Sequence, residues 1–366
     1  MKQLILTVIC LLGAIVARAM TPEEFETLYN SPQKDAEKCY NLYQAFAQGD
    51  GVDKDDARAR KWLLAAHRCG KEGARAELEK LPWRKTYKLK KSIKVSKVDD
   101  ATARTKGEDL VKLLLELSGR CNKNMSSSVK KLSAAEMKAV RKLIAEGADL
   151  NIMYAETEFD GFTALSIACH HSDFALAKLL IDHGADPNAC SMLALETVGR
   201  SGTDADKALS KKAIQFLIKN GMEVNMWTDY GWPTAMLMAF LDSEAEIDVL
   251  AKAGMDVNLR ANPHECVSAA LPAKRMNYFT EMAHVKAGQT ALLFAARCVH
   301  AKSVTALLRN GADPHITDDT KGETFEDVLG EVEKYAEKPD GSPLVKENAR
   351  TICRLLRRAG AKPAKK

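Results

Sequence analysis

After its first nineteen residues the sequence has no apolar run long enough to cross a bilayer, which takes about 20 apolar residues. It has no phosphate-cradling glycine loop, no His-Glu-x-x-His, no Gly-x-Ser-x-Gly and no Cys-x-x-Cys. Nucleotide, zinc-protease, serine-hydrolase and dithiol chemistry therefore have no local signature, and neither an enzyme nor a cofactor is expected. Charge of one sign is scarce too. Fifty-four Lys and Arg face 49 Asp and Glu, a net +5, which argues against a partner bound by global charge, and nucleic acid is not expected.

What the chain does have begins at its start. Lys2 precedes the apolar run Leu4 to Val16, and Ala17-Arg18-Ala19 offers a small-x-small cleavage site. Residues 1–19 thus read as a secretory signal peptide, sending the chain to the periplasm or outside the cell. Losing Lys2 and Arg18 lowers the charge from +5 to +3. The remaining basic surplus sits in residues 84–97, where Arg84, Lys85, Lys88, Lys90, Lys91, Lys94 and Lys97 occur without an acid. Tyr87, Leu89, Ile93 and Val95 alternate with lysines there, which predicts a strand or linker over 84–105 with a lysine-rich face. Such a face protects an edge or meets an anionic polymer or lipid.

Self-similarity governs the rest. "DGFTALSIACHHSDFALAKLLIDHGADPNA" from Asp160 returns as "AGQTALLFAARCVHAKSVTALLRNGADPHI" from Ala287, an ungapped offset of 127 residues. Closing glycines recur at 147, 184, 221, 254, 311 and 360, with separations of 37, 37, 33, 57 and 49. A unit of about 33 residues with insertions before the last two accounts for them. Each unit has the same physical outline. Thr163 caps a short helix, small residues Ala168 and Cys169 permit close packing, and Leu176, Leu179 and Leu180 line a second helix. Gly184 stops that helix and Pro187 prevents its return.

These motifs resemble the ankyrin repeat over about 106–363, most closely in "GFTAL…GADPN" and "GQTAL…GADPH". The resemblance implies an all-α solenoid of about six stacked units, some degenerate, that binds proteins. Ser166, Leu237 and Leu293 stand where the family usually has His after the opening Leu. Upstream, residues 20–83 contain a helical hairpin turned by "GDGVDKD", with Asp55 as N-cap, which resembles a Sel-one-like (tetratricopeptide-related) repeat. Thr21, Pro22 and Glu24 signal a further helix start. Residues 364–366 form a tail. If the hairpin forms, Cys39 and Cys69 become neighbours and could be joined, as in related cysteine-rich repeats.

The candidate contact residues lie on the projecting turns, or fingers, between units. Trp227, Tyr230 and Trp232 in "MWTDYGW" could anchor a protein partner or fold down over the neighbouring unit. Tyr154 and Phe159 extend the stripe, and the insertion from Arg260 to Ala287 is a second candidate. His170 and His171 end a first helix on the presented surface. Adjacent helical residues point about 100° apart, so Cys169-His170-His171 cannot converge on one metal ion. His264-Glu265-Cys266 in the insertion shows no partner in the sequence. The expectation is an exported scaffold for an unidentified protein. The alternatives are an envelope-associated adaptor using the lysine-rich segment and a secreted effector that binds a host protein.

Overall fold

The computed structural model describes residues 20–31, 35–81, 92–117, 132–153, 162–189, 204–228, 231–266, 287–316, 325–338 and 341–360. Residues 1–19 (expected to be a signal peptide), Arg84 to Lys91, Tyr154, Phe159, Tyr230 and most of the 260–287 insertion lie outside these residues.

The chain first builds a small helical unit. α1 (Pro22–Asn30) opens on a capping box, in which the Glu24 amide donates to Thr21 Oγ1 and the Thr21 amide to Glu24 Oε2. α2 (Ala36–Gln48) ends at Gly49, and α3 (Asp56–Arg68) starts where Asp55 Oδ1 accepts from the amides of Ala57 and Arg58. α2 and α3 pair closely, burying Cys39, Leu42, Phe46, Trp62 and Ala66 with Phe25 from α1. α4 (Ala74–Leu78) follows.

The solenoid comes next: α5 (Asp100–Leu117) and α6 (Ala134–Ala145), then α7 (Ala164–His170) and α8 (Phe174–Asp182). α9 (Asp204–Lys219) is the described helix of the third unit. α10 (Thr234–Phe240) with α11 (Glu244–Lys252), α12 (Ala291–Arg297) with α13 (Ala301–Arg309), and α14 (Phe325–Glu337) with α15 (Pro343–Arg358) complete the stack. α10 packs on α12 and α12 on α14. In the outer row α9 packs on α11, α11 on α13 and α13 on α15. One apolar cluster runs from Leu110 to Leu356, because no hairpin can bury its face alone.

Each unit closes in the same way. Leu180, Leu217, Leu250, Leu307 and Leu356, four residues before the closing glycines, are fully buried. The closing glycines have φ between 90° and 113°, where a Cβ is disfavoured. In the second unit the Ala185 amide then bonds to the Leu180 carbonyl at 2.9 Å and the Gly184 amide to Ile181 at 3.0 Å, the paired bonds of a Schellman ending. The missing opening histidine is replaced once. Ser166 Oγ accepts from the Thr163 amide at 2.9 Å while Thr163 Oγ1 accepts from the Ser166 amide, giving a complete capping box. Leu293 has no oxygen, so Thr290 caps α12 in one direction only.

An asparagine ladder ties the units together. Asn151 Nδ2 donates to the Gly184 carbonyl (3.1 Å), and its Oδ1 accepts from the Asp186 amide (2.7 Å). Asn188 repeats this with Gly221 and Glu223, Asn225 with Gly254 and Asp256, and Asn258 with Gly311 and Asp313. The Asn258 rung places the units closed by Gly254 and Gly311 next to each other despite the 57 residues between those glycines.

The strand expected in the basic segment does not form over 92–99, and α5 begins at Asp100, within the stretch read as linker. The segment is a strap instead. The Ser96 amide bonds to the Ala145 carbonyl at 2.8 Å and the Ile93 amide to His183 Nε2 at 3.1 Å. Of Ile93 and Val95, only Ile93 lies against the apolar core. Val95 is exposed beside Lys94 and Lys97.

Candidate interaction surface

The finger side of the stack is where ankyrin-like units offer contacts, and here much of it is already met by the chain's own α3. The run from Ala59 to His67 is buried throughout. Trp62, Ala65 and Ala66 face α1 and α2, and Leu63 and Leu64 join Ala189 of the second unit with Ala74 and Leu78. Arg58, Arg60, Lys61 and His67 of the same helix reach the acids of the fingers.

Two of these pairs are equivalent. His67 Nε2 lies 2.6 Å from Asp149 Oδ2, and Arg60 Nε donates to Asp186 Oδ2 at 2.7 Å with a second bond from its terminal nitrogen. Asp149 and Asp186 hold the same place in successive units, two residues after the closing glycine. In each, Oδ1 accepts the amide of the next ladder asparagine, leaving Oδ2 for α3. Burial alone would raise the Asp149 carboxyl, but the His67 contact and the Asn151 amide outweigh it and hold the pKa below the usual range.

The third contact centres on Glu265, which is fully buried in a short 3₁₀ turn, Pro263–Glu265, capped by Asn262. Lys61 Nζ lies 2.9 Å from Glu265 Oε2 and Arg58 Nε 3.2 Å from Oε1, while Tyr29 Oη donates to Oε1 at 2.7 Å. Burial would raise this carboxyl as well, but Lys61 and Arg58 lead the groups that depress it. The Tyr29 hydroxyl is pushed up, by burial first and then by Glu265. Glu265 therefore has its partners in the N-terminal unit, more than 200 residues away in sequence.

The aromatic finger divides. Trp232 is 4% exposed and packs against Phe240 and Phe294 with ring centroids 5.9 and 6.2 Å away. The reading of Trp232 as a partner anchor is corrected: the finger folds back, with the Thr228 amide on the Trp232 carbonyl at 2.7 Å, and turns the ring into the core. Gly231 (φ 76°) makes that fold possible, since a Cβ there would collide with the Asn262 carbonyl. Trp227 is half-buried, donates Nε1 to the Arg260 carbonyl at 2.8 Å and lies under Arg58, 4.6 Å from its ring centroid. It is an anchor, but for this chain's own N-terminal unit. His170 and His171 are half-buried with rings edge-to-face at 5.1 Å.

Cys39 and Cys69 are in the thiol form and are neighbours. A hydrogen bond between them lowers the Cys69 pKa. Cys169 is a buried thiol in the repeat core. Among the described residues no three His, Cys, Asp or Glu side chains gather as metal ligands. An open groove of about 460 Å³ on the outer row is lined by Lys211, Gln215, Lys219, Asp248 and Lys252.

The docking of α3 was missed in the sequence, although a signal was present. "WLLAA", Trp62 to Ala66, is five apolar residues in a row, and successive residues turn about 100° each, so the run covers every side of the helix. Such a helix needs cover on both faces, and α1 with α2 supplies only one.

Against the known families, residues 160–192 and 287–319 match the model of the ankyrin repeat. No curated protein matches the sequence. The matched stretches are the second and fifth units, which the asparagine ladder joins into one spine with the first, third and fourth. The chain is an all-helical repeat solenoid that contains ankyrin repeats, the architecture of a protein–protein interaction scaffold.

Proposed function

We propose that the chain is an exported scaffold, working in the periplasm or outside the cell, that holds a protein partner on its ankyrin stack. Export is supported by Lys2, the run Leu4 to Val16 and Ala17-Arg18-Ala19 ahead of Met20. The scaffold role is carried by the bridged stack, whose rungs fix the spacing of its fingers. The hairpin of α2 and α3 acts as one Sel-one-like unit. In an oxidising compartment Cys39 and Cys69, already in contact, close into a disulfide. A bridge from 39 to 69 stabilises by about 3–4 kcal/mol on the chain-entropy estimate.

The test is intact mass and non-reducing peptide mapping of the protein from fractions of its native cells. A chain starting at Met20 with linked Cys39 and Cys69 peptides is expected. A cytosolic chain starting at Met1 with both thiols open to alkylation sinks the export reading. Crosslinking in the same fraction tests the scaffold, and failure to capture any protein reproducibly counts against it.

A second reading rests on the strap. Lys94 and Lys97 point into solvent on a segment fixed to the stack, so the basic run that ends there could meet an anionic envelope component while the repeats hold a protein. Salt-sensitive binding to envelope fractions, lost when the lysines of 85–97 become glutamine, is its signature.

A further inference from the structure

The contact between α3 and the fingers has a register of its own. Arg60 and His67 are seven residues apart, two helical turns and about 10.5 Å along the axis. Their acids, Asp186 and Asp149, are one repeat apart, and packed helices lie about 8–10 Å from each other. The period of the helix thus matches the rise of the stack. Every acidic and basic side chain in the Arg60–Asp186, Lys61–Glu265 and His67–Asp149 pairs is at least nine-tenths buried.

Among the described residues, the solenoid core and the core of α1 to α3 are separate apolar clusters, and Ala189 joins Leu63 and Leu64 from the stack side. Buried ion pairs fix register more than they add stability, because desolvation offsets most of their attraction. A helix held in this way is specifically placed and can still be exchanged for another that makes the same pairs.

We propose that the finger face formed by Asp149, Asp186, Glu265 and Trp227 is a binding site for cationic helices, occupied in cis by α3, and that the partner presents a helix with cations seven residues apart which takes the place of α3. The N-terminal unit is then an autoinhibitory cover. The proposal rests on the scaffold reading for the existence of a partner, but the site can be tested without one.

The experiment uses the full mature chain, as wild type and as Arg60→Glu/Lys61→Glu, with a fluorescent synthetic peptide of residues 54–71 as the probe. In cis α3 competes at an effective concentration of about millimolar. The wild type should therefore bind the peptide at least tenfold more weakly than the variant, in which the reversed charges vacate the site. A peptide with Arg60 and His67 changed to Gln should lose binding to the variant, and raising salt should weaken the native peptide. Equal binding to both proteins, or none to a variant that keeps its circular dichroism, overturns the proposal.

If the variant unfolds, hydrogen exchange of the wild type decides. Amides of α3 exchanging well before those of α7 and α8 support a releasable cover, and exchange in step with them overturns it. A wild type that dimerises by trading α3 between copies assigns the site to a second copy and refutes a separate partner. Peptide binding together with failed partner capture leaves the site standing and removes the scaffold reading.

Discussion

Replacing one ladder asparagine tests how the stack is held, since chemically equal rungs differ in their access to water. Asn188→Ala removes the bond to the Gly221 carbonyl (3.1 Å) and the bond from the Glu223 amide (2.7 Å). Asn258→Ala removes the same pair at Gly311 (3.1 Å) and Asp313 (2.8 Å). Each neutral hydrogen bond contributes about 0.5–1.5 kcal/mol net, and the loss grows when a backbone group is left without water. Asn188 is 6% exposed and its two bonds are partly buried, whereas Asn258 is half-exposed and its two bonds are exposed, although the partner residues are exposed at both rungs. The expected losses are about 2–3 kcal/mol for Asn188→Ala and about 0.5–1 kcal/mol for Asn258→Ala. A solenoid need not unfold in one step, so the assay pairs urea unfolding with hydrogen exchange of peptides covering 217–226 and 308–316. Equal losses at the two rungs, or a larger one at Asn258, would refute the argument that burial sets the strength of the ladder.

Trp232→Ala should destabilise by about 3–5 kcal/mol by opening a cavity beside Phe240 and Phe294, while Trp227→Ala should cost about 1–2 kcal/mol and loosen only the N-terminal unit. Chemical denaturation with regional hydrogen exchange separates the two, and a reversed order would be inconsistent with the folded-back finger. Gly231→Ala meets a positive φ and the Asn262 carbonyl together, so a loss of at least about 1–2 kcal/mol is expected, and an unchanged melting temperature would contradict it. Asp149 and Glu265 titrate below their ordinary values, so the stabilisation they give is complete above about pH 5 and is lost as pH falls through their folded values. Proteolysis of the N-terminal unit at pH 5 and pH 3 checks this, and early release at pH 5 would go against it.

The solenoid was legible in the sequence because its rules are local. A threonine cap, a leucine four residues before a glycine and an asparagine four residues after it lie within one unit and repeat in the next. Those residues end up as the cap, the buried leucine and the ladder rung. The docking of α3 depends on pairs such as Arg60 with Asp186, 126 residues apart, and nothing near either residue marks the other. Basic residues on a helix look like a solvated face until the apolar run between them is counted around its circumference. The Trp232 finger held two readings because its fold depends on Gly231 lying against Asn262 in the next finger. Over 92–99 the lysine alternation makes no strand for a related reason: alternation describes a surface on both sides, and of Ile93 and Val95 only Ile93 lies against the apolar core.

The rung from Asn258 to Gly311, with the Ala261 amide on the Gln289 carbonyl at 2.9 Å and the Gly288 amide on the Ala261 carbonyl at 2.8 Å, fastens both ends of the long insertion. The spine therefore does not count the residues between them. Closure entropy grows slowly with length, a doubling costing only about 0.6 kcal/mol. The number of residues after Cys266 can therefore change while the units on either side keep their neighbours and Glu265 keeps its partners. That stretch is a socket in the architecture, where a lineage could try new surfaces, or an engineer could graft a domain, without refolding the rest.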